Sequence, residues 1–447
     1  MPTDDDPIIR RALAAARDTK ALRVGRGARH AAGELFAEQF GTAPAVVVAD
    51  PAEFAAAGGD VIDALRRAGI ACGEPVVLDA PDLYAEYRFV EVLHRALADR
   101  PGVPVAVGSG TVNDLTKLTA HQLGRPYMVV ATAASMDGYT AFGASITRGG
   151  LKQTFACPAP AAVLADLDVI AAAPPELNAA GYADMLAKVT AGADWLLADA
   201  LGVEPVDAHA WGTVQARLRE SVADPAGVRR GDPDTLRRLT VGLMLGGFAM
   251  QAARSSRPAS GAEHQFSHLW DMQHHTHDGA APSHGFKVGI GTLASAALYE
   301  QLLGRDFTNF DVERAVRDWP PPEVDVSRAA AALGDLADLA AEELCAKHPS
   351  ADALRAQLTR LRDGWPEQRA RLTRQLIPFA ELGDMLRAAG APSEPEQIGI
   401  SRDRLRDSFE PAYAIRRRFT VLDLARRSGL LGECLGRIFG PGGPWPV

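Results

Sequence analysis

VGSGTVNDLTKLTA, residues 107–120, follows the apolar run Val103-Pro104-Val105-Ala106 and sets two glycines where a strand turns into a helix. A strand that stops at Gly108-Ser109-Gly110 and resumes as a helix near Asn113 leaves backbone N–H groups unpaired and pointing outward, which suits an anion. Around this turn, between Leu22 and Ile170, short Val-rich runs such as APAVVVAD, EPVVLDA, VPVAVGSG and YMVVATAAS alternate with amphipathic stretches such as VIDALRRAGI, RFVEVLHRALAD and LTKLTAHQL. That alternation predicts a doubly wound parallel sheet with crossover helices.

From about Pro174 the strand signals stop. Ala, Leu and Arg recur there at three- and four-residue spacing, as in AGYADMLAKVTAGADWLLADAL, LRRLTVGLMLGGFAMQAA and VGIGTLASAALYEQLL. The expected fold class is an α/β N-terminal Rossmann-like domain with a parallel sheet, residues 1–172, followed by an all-helical C-terminal domain, residues 173–447.

With 447 residues, 47% of them hydrophobic, the chain can bury a large core. A net charge of −9 argues against a general nucleic-acid binder. The clusters Arg416-Arg417-Arg418 and Arg229-Arg230 read as solvated helix faces. Cys72, Cys157, Cys345 and Cys434 show no CxxC spacing, which fits a reducing cytoplasm. The acidic start MPTDDD lacks a signal-like apolar region, and no run of about eighteen apolar residues follows, so neither export nor a membrane span is expected.

Three strand ends carry candidate chemistry. Residues Gly108, Ser109, Gly110, Thr111, Val112, Asn113 and Asp114 form the glycine turn, equally readable as a plain tight turn. Asp50 ends AVVVAD and suits the ribose hydroxyls of an adenine dinucleotide, or simply a helix cap. Thr132, Ser135 and Asp137 lie on the small-residue loop VVATAASMDGYTAFGAS. Together these three loops suggest a nucleotide cleft.

The helical half holds most of the histidines, in GAEHQFSHLWDMQHHTHDGAAPSHGFKVGIG. His264 and His268 share a helix face, His284 opens the next helix, and Asp184 offers a carboxylate. Gly261, Gly285 and Gly289 bracket these histidines, as close backbone approach often requires. His274, His275 and His277 read as solvated loop residues. These residues leave open a nicotinamide oxidoreductase with a carbonyl-polarising metal, a metal-dependent hydrolase using His264 and His268, and a nucleotide-binding regulatory module with a structural metal. Glu263 precedes the histidine pair instead of lying within an HExxH motif, which counts against the hydrolase.

GSGTVNDLTK, TAASMDG, AGYADMLAKVTAGADW, SSRPASGAEHQFSH and SHGFKVGIG, in this order, resemble the glycerol-1-phosphate dehydrogenases, within the superfamily of glycerol dehydrogenase and dehydroquinate synthase. The resemblance spans about residues 50–296, with a weaker echo in AIRRRFTVLDLA. It implies metal ligands Asp184, His264 and His284, holding one zinc, nickel or iron ion. It further implies that 110–114 hold the pyrophosphate of NAD or NADP, that Thr132, Ala133, Ala134 and Ser135 flank the rest of the cofactor, and that Asp50 binds its ribose. The acidic Asp50 favours NAD. Asp137 and His268 would face the substrate, with Asp184 close to metal and substrate alike. The implied reaction is reversible reduction of dihydroxyacetone phosphate to sn-glycerol 1-phosphate in a homo-oligomer, with Arg257 or Lys152 as candidates for gripping the phosphate. Phe286 stands where the pattern has Glu, and Ala141 where a small hydroxyl residue is common. The alternatives are therefore a relative acting on another polyol or hydroxy-phosphate, such as glycerol, and a non-catalytic dinucleotide-binding protein.

Overall fold

The structure is a computed structural model that describes residues 6–447; the acidic start at 1–5 lies outside the described residues. Its main sheet has six parallel strands: β1 (Ala21–Gly25), β2 (Ala45–Ala49), β3 (Val76–Val77), β4 (Val103–Gly108), β5 (Met128–Ala131) and β8 (Ala162–Asp166), in the order β1-β8-β5-β4-β2-β3. Strands β2, β4, β5 and β8 are buried along their whole length, which explains why they read as continuous Val and Ala runs. A separate antiparallel hairpin joins β6 (Ala144–Arg148) to β7 (Leu151–Phe155). Beyond Asp166 no further strand occurs among the described residues.

The chain folds into two compact units. The first comprises Met1–Met185, His209–Ser256 and Ala388–Gly390. It thus holds the sheet together with helices at 173–185 and 209–256, which lie beyond the boundary expected at 172/173. Its core centres on the sheet, where Val47, Val105, Val130 and Leu164 pack with Leu35, Phe36, Val61 and Leu65 from flanking helices.

The second unit comprises Leu186–Ala208, Arg257–Arg387 and Ala391–Val447 and is helical. Helices Ala262–Met272 and His284–Leu303 pack against each other there. Phe266 and Trp270 of the first, and Val288, Leu293 and Leu298 of the second, are fully buried. Among the described residues no helix is long and apolar enough to cross a membrane.

Candidate active site

From β2 the chain runs outward to β3 at the sheet edge, then returns to β4 on the other side of β2 and continues to β5. The strand order therefore diverges between β2 and β4, the point at which open α/β sheets bind ligands beyond their carboxyl ends. Asp50 follows β2 there, and the glycine turn follows β4.

Ser109 is the N-cap of the helix Gly110–Gln122, yet its hydroxyl makes no capping bond. The N–H groups of Gly110, Thr111 and Val112 belong to the first turn and have no intrahelical acceptor. Asn113 and Asp114, by contrast, turn their side chains into the unit. Asn113 Oδ1 accepts from the Tyr127 hydroxyl at 3.1 Å, and Asp114 Oδ2 accepts from the Ser145 N–H at 3.1 Å. What the turn offers an anion is backbone.

Asp50 caps the segment beginning at Pro51, its Oδ1 accepting the Glu53 N–H at 2.7 Å. Thr132 is buried beside the turn, and its N–H donates to the Gly108 carbonyl at 3.3 Å. Ala133 and Ala134 are buried, and the Ala134 N–H donates to Asn178 Oδ1 at 3.0 Å, tying the loop to the helix Pro175–Leu186. Ser135 Oγ lies 3.5 Å from the Tyr139 hydroxyl. Further along that helix, buried Asp184 accepts the Asp137 N–H on Oδ2 at 3.0 Å. Helix Pro233–Ala253 secures the loop that follows, accepting from Thr140 Oγ1 at the Met244 carbonyl and donating from Gln251 Nε2 to the Thr140 carbonyl.

Three imidazoles gather in the helical unit. The ring centroid of His264 lies 5.3 Å from that of His284 and 6.1 Å from that of His268, with His268 and His284 6.3 Å apart. Gly291 permits the helix crossing that brings them together, since a Cβ at that position would stand 2.3 Å from the Glu263 carbonyl oxygen.

The hydrogen bonds around these rings prepare them as ligands. His264 Nδ1 lies 2.9 Å from Glu263 Oε1. Donation from Nδ1–H to that carboxylate makes Nε2 the lone-pair nitrogen of the ring, the atom that can ligate a metal. His284 Nδ1 lies 3.4 Å from Ser267 Oγ, which allows the same tautomer. Glu263 is itself fully buried and accepts from Thr190 Oγ1 and the Gly261 N–H. Against the upward push of burial, the neighbouring His264 and the Gly261 N–H hold its carboxyl below the usual range. Asp184, His264 and His284 form a group that could hold a metal ion. One carboxylate and two imidazoles fit a divalent ion such as zinc, nickel or ferrous iron.

His268 faces a different partner. Arg416 Nη2 donates to its Nδ1 at 2.7 Å, so the ring carries its proton on Nε2. Among the described residues no carboxylate lies within ion-pair distance of Arg416, whose guanidinium is pushed below its usual pKa by burial. The three arginines 416–418 do not form a solvated helix face. They lie between the helices Phe409–Ala414 and Val421–Arg427, and only Arg417 is exposed, paired with Glu342 and Glu343. Arg229 and Arg230 do end a helix and are exposed.

Arg257 is buried and bonded to the Phe419 and Asp194 carbonyls and to Glu204, which braces the unit. Lys152, on β7, donates to the Tyr84 hydroxyl at 3.0 Å. His275 departs from the solvated reading, being buried with Nε2 2.6 Å from the Ile398 carbonyl and Nδ1 accepting from Arg404. His274 is exposed and His277 half-buried. Phe286 is half-buried, its N–H capped by Ser283, and Ala141 is buried. Sequence reasoning missed Glu53 and Arg416 and gave Glu263 no role in orienting His264. The one local signal was an acid directly beside a ligand histidine.

Residues 23–174 match the iron-containing alcohol dehydrogenase family. The chain is 34% identical over 294 residues to the NAD(P)+-dependent glycerol-1-phosphate dehydrogenase of Halalkalibacterium halodurans, covering 65% of this chain and 73% of that protein. It is 30% identical over 376 residues to the enzyme of the same name from Bacillus licheniformis, covering 82% and 79%. Its fold is similar to the crystal structure of glycerol dehydrogenase from Schizosaccharomyces pombe, with a TM-score of 0.58, 16% identity and coverage of 93% and 90%.

Proposed function

The chain belongs to the glycerol-1-phosphate dehydrogenase family of the iron-containing alcohol dehydrogenase superfamily, and from that membership we propose that it reversibly reduces dihydroxyacetone phosphate to sn-glycerol 1-phosphate with NADH or NADPH. The observation that carries this reading is the group Asp184, His264 and His284, which family motifs single out and whose donors could hold one divalent ion.

In this reading residues 1–172 bind the dinucleotide and 173–447 carry the metal ligands. The N–H groups of 110–112 receive the pyrophosphate, residues 132–135 flank the cofactor, and Asp50 takes the ribose and disfavours a 2′-phosphate, so NAD is preferred. When bound, a divalent ion supplies Lewis acidity toward the substrate oxygens and the reduced nicotinamide supplies hydride. Asp184, His264 and His284 hold the ion, while Glu263 fixes the tautomer of His264. Asp137 and His268 face the substrate. His268 presents Nε2–H, fixed by Arg416, as a hydrogen-bond donor to the substrate's carbonyl oxygen. Arg416 is also the cation placed to meet the substrate phosphate, a role that the internal bonds of Arg257 leave it poorly suited to fill. We propose a homo-oligomer in the cytoplasm without nucleic-acid partners; its four free cysteines support the reducing compartment and its net negative charge the lack of nucleic-acid partners.

A second reading, action on an unphosphorylated polyol such as glycerol, is favoured by Phe286 where the family pattern has Glu. Product chirality tests the first. Glycerol phosphate that an sn-glycerol-3-phosphate dehydrogenase leaves untouched supports it, whereas product that this enzyme oxidises contradicts it.

A further inference from the structure

The glycine turn already holds an acid. Glu53 Oε1 accepts the Ser109 N–H at 2.5 Å and lies 3.5 Å from Thr132 Oγ1. Its other oxygen, Oε2, is buried without a hydrogen-bond partner and stands 2.3 Å from where a Cβ on Gly108 would be. A side chain from the end of β2 thus reaches across the divergence in strand order and seats its carboxyl on the first N–H after β4.

A carboxyl and a pyrophosphate compete for the same kind of seat, because both are anions satisfied by outward backbone N–H groups at a helix start. We propose that Glu53, seated on the Ser109 N–H beside the N–H groups of 110–112, sets the affinity for dinucleotide: its charge opposes the pyrophosphate, and it takes a proton when the pyrophosphate arrives. The proposal rests on the cofactor reading above.

The surroundings favour proton uptake. Burial pushes the Glu53 carboxyl up to about 7, and the nearby Asp50 adds to that rise. The other groups facing it do not supply a cation. Ser109 and Thr132 are neutral, Tyr139 is a buried phenol whose own pKa Glu53 helps to raise, and Asp114 is held by Ser145 and Lys117. Asp60, on the next helix, is tied to Arg29. A phosphate brought close adds negative charge and drives the carboxyl further toward its neutral form, which can then donate to a phosphate oxygen.

The test is calorimetric titration of ADP-ribose, which carries the pyrophosphate but needs neither metal nor substrate. It is made on the full chain and on Glu53→Gln and Glu53→Thr, from about pH 6 to about pH 8.5, in two buffers of different ionisation enthalpy. We expect wild-type affinity to fall about tenfold across that range with net proton uptake on the alkaline side, one proton costing a factor of ten per pH unit. Both variants should bind with little pH dependence and more tightly than wild type at the alkaline end. Equal pH profiles in all three proteins, or weaker alkaline binding by both variants, overturn the proposal while leaving the cofactor reading intact. No ADP-ribose binding by any of them at any pH overturns the cofactor reading, and the proposal with it.

Discussion

Arg416 donates a hydrogen bond to Nδ1 of His268 at 2.7 Å, so one half-buried guanidinium fixes the tautomer of the histidine beside the ligand pair. A charged hydrogen bond to phosphate contributes about 1.5–3 kcal/mol. Arg416→Met should therefore raise KM for dihydroxyacetone phosphate about ten- to a hundredfold. It should change KM for unphosphorylated dihydroxyacetone by less than about threefold. Equal losses on both substrates would reduce Arg416 to its bond with His268.

Glu263 acts on the metal through His264. Removing its charge in Glu263→Gln should weaken metal affinity about ten- to a hundredfold, measured by competition with a chromogenic chelator. Unchanged affinity would show that the Glu263–His264 bond does not prepare the ligand.

Gly291 sits at the crossing of the two histidine-bearing helices, 2.3 Å from backbone once a Cβ is added. Gly291→Val should destabilise the protein by about 1–3 kcal/mol through overpacking. Metal occupancy, read by mass spectrometry, should fall with it, because the same crossing sets the distance between His264 and His284.

Glu53 makes stability depend on pH in a definite direction. Its folded pKa, about 7, lies above the ordinary glutamate value, so the folded state holds the extra proton between the two. The associated stability is fully present below the ordinary value and is lost as pH rises through 7. At about pH 8 Glu53→Gln should exceed wild type by roughly 1–3 kcal/mol in urea unfolding, with the gap narrowing toward about pH 5. A gap that widens on acidification would contradict the burial of this carboxyl.

The parallel sheet was legible because its strands β2, β4, β5 and β8 are buried on both faces and so spell continuous Val and Ala runs, and the glycine turn was legible because Gly108 and Gly110 interrupt one of them. The β6–β7 hairpin was not picked out. Its Gly149-Gly150 tip is a recognisable turn signal, but it follows a small-residue loop, and β6 and β7 lie outside the main sheet. His275 could not be read as buried because its partners, Arg404 and Ile398, are more than 120 residues away in sequence. Glu53 was hidden for a similar reason: nothing local to DPAEF tells that its carboxyl meets Ser109, 56 residues on. The ligand set is dispersed too, and ordered family motifs brought its members to notice where spacing alone left the hydrolase open.

The most direct test of the whole account is the absorbance at 340 nm when metal-analysed protein is mixed with NADH and dihydroxyacetone phosphate, beside a His264→Ala variant and a dihydroxyacetone control. The account predicts rapid NADH oxidation that depends on the phosphate, disappears in the variant together with its bound metal, and returns in chelated wild type on adding a divalent ion. Oxidation of equal rate in a metal-free variant, or none in metal-loaded wild type with bound NADH, would contradict it.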